Sequence, residues 1–246
     1  MILLLPAAGS ATRLPALQGR SKEALTIAPG RRAADALLDA AAHAGAERAV
    51  WLLRSGKADI RKAYGDQHAS LPLDYCTLPA TPSTLHTLRA ALTSAAVPLD
   101  TPRIGLGFPD IQFRDANAFS HLEHALKQRD ADLALGCFHT DRPDKVDVVE
   151  QDSAGRVTRV HIKSADAPGS QAWILALWRP RFTRFLCDQP EPEAAVDRTS
   201  ERYIGHEIQA AIDAGLHITA VHFDSPLLDL GTPEDLARVE HFWLDA

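Results

Sequence analysis

Through its first 139 residues the chain alternates apolar strands with helices rich in alanine and leucine, and few folds accept that rhythm. Met1 to Pro6 is a continuous apolar run, the pattern of a strand buried on both faces. A helix is expected over 33–44, stopped by Gly45, and a strand over Arg48–Arg54. A helix over Ala58–Tyr64, a strand over 73–77, a helix over 84–95 with Ser83 as its cap, and a strand over 103–108 continue the pattern. Ala118–Gln128 reads as a helix and 131–139 as a strand. Strand and helix in strict alternation imply the α/β class, with a parallel sheet covered by helices on both faces.

The rhythm then changes. Strands over 146–151 and 156–162 flank Asp152-Ser153-Ala154-Gly155, a hairpin turn, so the central sheet is expected to be mixed, though mostly parallel. A strand over 172–178 precedes a loop over 189–197 that carries two prolines and several acids. The segment 201–214 puts Ile204, Ile208 and Ile212 on one face of an amphipathic helix ending at Gly215. A strand over 217–223 follows, and Thr232-Pro233-Glu234-Asp235 has the form of a helix start. At 246 residues without an internal repeat, 1–246 reads as a single domain. A net charge of −6 argues against a nucleic-acid or anionic-membrane surface, so any bound phosphate must meet local positive charge. Three scattered cysteines, Cys76, Cys137 and Cys187, argue against a disulfide framework or zinc site and read as reduced thiols of a cytoplasmic protein. The apolar N-terminus is too short for a signal peptide, and no stretch approaches the ~20 apolar residues of a membrane span.

The chemistry gathers first at the loop after the opening strand. Ala7, Ala8, Gly9, Ser10, Ala11 and Thr12 are small enough for backbone N–H groups to approach a phosphate chain, and Arg13 and Lys22 add positive charge. The loop has neither the glycine spacing of a dinucleotide fingerprint nor a Walker lysine, so it is read as a nucleoside triphosphate site of another kind. In open α/β sheets ligands sit beyond the C-terminal strand ends, and Asp110 and Asp229 fall at such ends. Two converging carboxylates suit Mg²⁺, a hard cation that takes oxygen ligands and substrate phosphates; each aspartate also reads as a turn or cap residue. The histidine pairs His121/His124 and His217/His222 read as surface or structural groups, and Trp173 and Trp178 as core.

Several of these segments together resemble the sugar nucleotidyltransferases, the family of glucose-1-phosphate thymidylyltransferase. That family opens with a strand, a G-x-G-T-R-L loop and P-K; the matching residues are Gly9-Ser10-Ala11-Thr12-Arg13-Leu14 and Ser21-Lys22. Its two metal aspartates, in G-D and D-x-G-T-P, match Pro109-Asp110 and Asp229-Leu230-Gly231-Thr232-Pro233. Its central hairpin matches Val148-Val149-Glu150-Gln151-Asp152, Gly155-Arg156-Val157 and Lys163. The departures gather on the acceptor side. Ile162 stands for a glutamate, Ser164 for a proline, Asp147 for a glycine that approaches a sugar hydroxyl, and Trp173 to Trp178 replace an A-x-x-G-x-Y pattern. The base-reading glutamine is missing at Leu78-Pro79, with Ser83-Thr84 in the following positions and His86 close behind. Ile162 cannot accept a hydrogen bond, and a buried hydroxyl left unpaired costs about 1–3 kcal/mol.

The resemblance implies a Rossmann-like, three-layer nucleotide-diphospho-sugar transferase fold, with a nucleotide-binding half over 1–130 and an acceptor-binding half over 131–246. It implies an enzyme that joins a nucleoside triphosphate to a phosphorylated acceptor, such as a sugar 1-phosphate or a small phosphate like phosphocholine, and releases pyrophosphate. Arg13 and Lys22 are then the catalytic residues, and Ala7 to Thr12 with Ser83 and Thr84 bind the nucleotide. Glu150 and Lys163 bind the acceptor, and Asp110 and Asp229 hold Mg²⁺. The eroded acceptor motifs fit an alternative, a non-catalytic nucleotide- or sugar-nucleotide-binding module. Homo-oligomers are common in the family, though no β-helix tail is present to build a trimer.

Overall fold

In this computed structural model the structure describes residues 1–9, 20–94, 96–190 and 202–244. The chain opens with β1 (Ile2–Pro6), a small hairpin of β2 (Thr26–Ala28) and β3 (Arg31–Arg32), and α1 (Asp35–His43). There follow β4 (Arg48–Arg54), α2 (Ala58–Tyr64), β5 (Gln67–His68), β6 (Leu71–Leu78), α3 (Thr84–Leu92), β7 (Ile104–Gly107), β8 (Ile111–Gln112) and α4 (Ala118–Gln128). The remainder is β9 (Leu133–His139), the hairpin β10 (Asp147–Gln151) and β11 (Val157–Ile162), β12 (Gln171–Trp178), α5 (Pro180–Asp188), α6 (Ile204–Asp213), β13 (Ile218–Phe223), β14 (Leu228–Asp229) and α7 (Pro233–Leu244).

The sheet is mixed. β7, β1, β4 and β6 run parallel side by side, and β13 runs parallel to β9; β12 lies antiparallel between β7 and β9 and joins the two sets. Side chains of a strand alternate between faces, and β1 feeds both layers. Leu3 and Leu5 pack with Leu37, Trp51, Phe119 and Phe138 under α1 and α4. Ile2 and Leu4 pack with Val50, Leu88, Trp178, Phe182 and Ile208 under α3, α5 and α6. These two cores are the helix-covered faces that the alternating sequence implies.

Helix ends follow local chemistry. Gly45 adopts φ +68°, which an alanine there would resist, and ends α1 where expected. The helix expected over 84–95 stops at Leu92, because the Thr93 and Ser94 hydroxyls turn back to carbonyls at 3.0 and 2.7 Å. α5 is not expected from the sequence; it begins on Pro180 and buries Phe182 and Leu186. Of the loop expected over 189–197, residues 191–197 lie outside the described residues.

Two glycines let β12 close against its neighbours. Leu175 lies opposite Gly107 of β7 and Gly136 of β9, and a Cβ at 107 would sit 2.4 Å from the Leu37 Cδ1 and 3.1 Å from the Leu175 Cδ2. Gly107→Ala is therefore expected to lower stability by about 1–3 kcal/mol in urea denaturation, since it must displace two leucine side chains packed inside the core.

β12 also makes a fork. Along one edge it pairs with β9 throughout; along the other, residues Leu175–Trp178 pair with β7, whereas Ala172 pairs with Val148 of β10. The C-terminal end of β7 and the start of β10 thus face each other across Trp173 and Ile174 of β12. Crevices at such ends are where α/β sheets bind ligands.

Candidate functional site

Asp110 lies just beyond β7 and enters β8, and β8 pairs antiparallel with β14 so that Asp229 lies opposite Ile111. The Leu230 N–H donates to the Asp110 carbonyl at 3.0 Å. Two aspartates from distant parts of the chain are thereby held on one short ladder. The turn after Asp229 is fixed by a reciprocal cap: the Thr232 N–H donates to Asp235 Oδ2 at 2.9 Å, and the Asp235 N–H donates to Thr232 Oγ1 at 3.2 Å.

Lys22 joins this pair, its Nζ forming an ion pair with the Asp110 carboxylate. Burial alone would lower the Lys22 pKa, but the carboxylates of Asp110 and Asp229 outweigh it and hold the group above its ordinary value. Lys22 is therefore a fixed cation between two anions.

Its backbone is held on both sides. The Ser21 N–H and hydroxyl donate to the two Asp59 oxygens at 2.6 and 2.8 Å. Glu23 forms a buried ion pair with Lys57 at 3.0 Å. The Tyr64 hydroxyl donates to the Glu23 carbonyl and accepts from the Ala34 N–H, both at 2.9 Å, and burial raises its pKa, so it stays a phenol. Nothing in the sequence singles out Lys57, Asp59 or Tyr64; the available signal is Glu23, a carboxylate next to a candidate catalytic lysine.

Of the opening loop, Ala7 is buried at the end of β1, with its N–H on the Leu52 carbonyl at 3.0 Å, and Ala8 is half-buried. Gly9 is exposed, with no atom within 4 Å of where a Cβ would sit. Ser10, Ala11, Thr12 and Arg13 lie outside the described residues. Ser83 is the cap of α3, and its Oγ lies 2.8 Å from His86 Nδ1; Thr84 is the exposed first residue of that helix.

On the other side of the fork stands Lys163, at the end of β11. Its φ is +45°, a conformation uncommon for any residue but glycine and asparagine, and its Nζ lies 3.4 Å above the Tyr203 ring. Asp147, opposite Ile162 in the β10–β11 ladder, is 9% exposed. Its carboxylate meets the backbone N–H groups of Lys163 and Gly205, and burial raises its pKa to about 6 against the pull of Lys163. The Trp173 indole N–H sits beside it without a hydrogen bond of ordinary geometry, and the Trp173 ring packs on Phe108 at 6.0 Å. Glu150 is not brought together with Lys163. It lies three residues along β10 from Asp147, roughly 10 Å, and its Oε1 is 3.1 Å from His161 Nε2.

Among the described residues no group of three or more His, Cys, Asp or Glu is placed to hold a metal. His222 is engaged with the Gln171 and Gln151 side chains, as its structural reading expects. The Asp110–Asp229 pair supplies two hard oxygen donors, a set that fits Mg²⁺, which keeps waters and substrate phosphates as its remaining ligands.

No family model matches the chain, and no curated protein matches it in sequence. Solved structures do match. A Bacillus anthracis protein assigned as a glucose-1-phosphate thymidylyltransferase, in complex with sucrose, is similar at TM-score 0.85 and 14% identity over 100% of this chain and 96% of that one. A UTP-bound UGPase from Acinetobacter baumannii is similar at 0.79 and 16%, over 100% and 94%. A UDP-glucose pyrophosphorylase complexed with UDP-glucose is similar at 0.82 and 15%, over 99% and 98%. The fold is that of the sugar nucleotidyltransferases, as the sequence motifs imply. Among the described residues no helix is long and apolar enough to cross a membrane.

Proposed function

We propose that the chain is a nucleotidyltransferase. It joins a nucleoside triphosphate to a phosphorylated acceptor, a sugar 1-phosphate by the kind of its structural neighbours, and yields a nucleoside-diphosphate-linked product and pyrophosphate. The observation that carries the reading is Lys22 held by Asp110 and Asp229 at the end of β7. A site that only binds a triphosphate has little need of two carboxylates, which repel phosphate unless a cation stands between.

A phosphate oxygen of the acceptor attacks the α-phosphorus in line, the bond to the β-phosphate oxygen breaks, and pyrophosphate leaves with that electron pair. Such a transfer needs positioning and charge more than covalent help from the protein. The nucleotide-binding residues of this reading are the small ones from Ala7 to Thr12, where a triphosphate meets backbone beyond Ala7, since the Ala7 N–H is taken by the Leu52 carbonyl, and Ser83 and Thr84 border the base. Lys22 neutralises the α-phosphate and Arg13 clamps the departing pyrophosphate. Lys163 receives the acceptor's phosphate, and Glu150 lies farther along the same hairpin. Asp110 and Asp229 would hold Mg²⁺, which supplies neutralising charge for the reacting phosphates. Residues 1–130 form the nucleotide side and 131–246 the acceptor side.

The test is pyrophosphate release with Mg²⁺ across the nucleoside triphosphates, against a panel of sugar 1-phosphates and small phosphorylated alcohols. Acceptor-dependent release by at least one pair is expected. Tight triphosphate binding with no release for any pair identifies a nucleotide-binding regulatory module instead.

A further inference from the structure

We infer that Asp147 is a positioning residue of the acceptor side, tying the backbone of Lys163 to that of Gly205 and so aiming the Lys163 ammonium across the fork. The inference rests on the nucleotidyl-transfer reading for its kinetic part.

Three observations meet at this carboxylate. First, the fork places it: β10 begins at Asp147 on the same edge of β12 that β7 leaves at Gly107, so Asp147 opens one prong of the fork and Asp110 lies just beyond the end of the other. Trp173 fills the step between them, packed on Phe108 on one side and beside Asp147 on the other. Second, Lys163 needs a holder. A lysine at φ +45° is strained and persists where its surroundings over-determine it. Asp147 takes up the N–H of that very residue, and Tyr203 takes the far end of its side chain. Third, α6 is built to receive the carboxylate. A Cβ on Gly205 would lie 2.3 Å from Asp147 Oδ2, so glycine in the first turn of the helix is what admits the contact. A carboxylate at a helix N-terminus is electrostatically welcome.

The arrangement is incomplete as a purely structural clamp. Asp147 Oδ1 and the neighbouring Trp173 Nε1 are both buried, and they meet without a hydrogen bond of ordinary geometry. A fold optimised for stability alone would carry a neutral group there. Keeping a charged group in such a place is a mark of sites that act. The charged group that acts on it is Lys163, just after β11, and Arg202, His206 and Glu207 stand around Gly205 at the start of α6. Arg202 and Glu207 pair with each other at 2.7 Å; His206 Nδ1 accepts the Tyr203 N–H at 3.0 Å, and burial with Arg202 and Lys163 lowers its pKa.

The experiment compares wild type with Asp147→Asn and Asp147→Ala. In pyrophosphate-release kinetics Asp147→Ala is expected to raise the acceptor KM about tenfold, because the Lys163 ammonium is no longer held towards the acceptor's phosphate, with the KM for the triphosphate unchanged. Asp147→Asn, which keeps one acceptor oxygen, falls between the two. Wild-type kcat/KM for the acceptor is expected to gain an acidic limb near pH 6 that Asp147→Asn lacks; a limb due to His206 or to the acceptor's own phosphate would persist in both. Parallel rises in both KM values overturn the inference. Should the wild type release no pyrophosphate with any acceptor, nucleotidyl transfer fails but the aim of Lys163 is still read directly. Acetylation of lysines, mapped by mass spectrometry, should change at least about threefold at Lys163 in Asp147→Ala and stay constant at the exposed Lys145. Equal labelling of Lys163 in both proteins overturns the positioning role.

Discussion

Asp110→Asn is expected to lower acceptor-dependent pyrophosphate release by about a thousandfold, equivalent to roughly 4 kcal/mol of lost transition-state stabilisation. Two losses combine. One hard oxygen donor of the proposed Mg²⁺ pair becomes a neutral amide, and Lys22 loses the carboxylate that both holds its ammonium and raises its pKa. With Asp110 neutral, the burial that already opposes the Lys22 charge faces only Asp229 and the weaker pull of Glu23, so the lysine's pKa falls. The fold should survive. The pair is partly exposed, with side-chain exposures of 17% and 20%, and the ladder between β8 and β14 is made by backbone groups. Steady-state kinetics with a Mg²⁺ titration check the first effect and thermal melting the second. A variant that keeps full turnover removes Asp110 from the chemistry; one that loses turnover and unfolds shows only that Asp110 is structural.

How much of this is legible in the sequence depends on how far apart the partners lie. The alternating strands and helices are readable because period two and period 3.6 are local patterns, and β1, β4, α2 and α4 fall where they are expected. Lys22 is readable as a charge that follows the opening loop, and Asp110 and Asp229 as separate candidates at strand ends. Their meeting is not, because the β8–β14 ladder that joins them is two residues long on each strand. Glu150 illustrates a limit of motif matching: its place in the hairpin is clear from sequence, but the β10–β11 register puts it beside Arg159 and His161 rather than Lys163. Asp147 is visible only as a departure from a glycine. What it does depends on Gly205 and on the backbone angle of Lys163, neither of which has a local signal. α5 escapes because its short apolar face, Phe182 and Leu186, mimics the end of the strand before it.

The second large effect concerns stability, and it lies beneath Lys22. Lys57→Met is expected to destabilise the protein by about 3–5 kcal/mol, the cost of leaving a buried charge unpaired. The Glu23 and Lys57 side chains are 4% and 6% exposed, and they meet at 3.0 Å under the turn that carries Lys22. Burial raises the Glu23 pKa, Lys57 pulls it back, and Asp110 adds repulsion. Without Lys57 that pull is gone, and the carboxylate must either stay charged in a dry setting or take a proton. A carboxylate whose folded pKa is raised favours the folded state below its unfolded pKa and loses that stabilisation as pH rises through the folded one. The damage from Lys57→Met should therefore be largest on the alkaline side and shrink towards pH 5, in the window above the ordinary value of 4.5. At neutral pH a loss of this size lowers the melting temperature on the order of 10 °C. The double variant Glu23→Leu with Lys57→Met removes both charges and should recover most of the loss, because apolar replacement of a buried pair is often neutral. Its catalysis is the sharper readout. Ser21 remains on Asp59 and the Tyr64 hydroxyl on the Glu23 carbonyl, bonds the substitutions do not touch, so Lys22 should stay in place and turnover should remain within about tenfold of wild type. A stable double variant with no turnover would mean instead that the Glu23 charge acts on Lys22 directly, and that the buried pair belongs to the chemistry as well as to the fold.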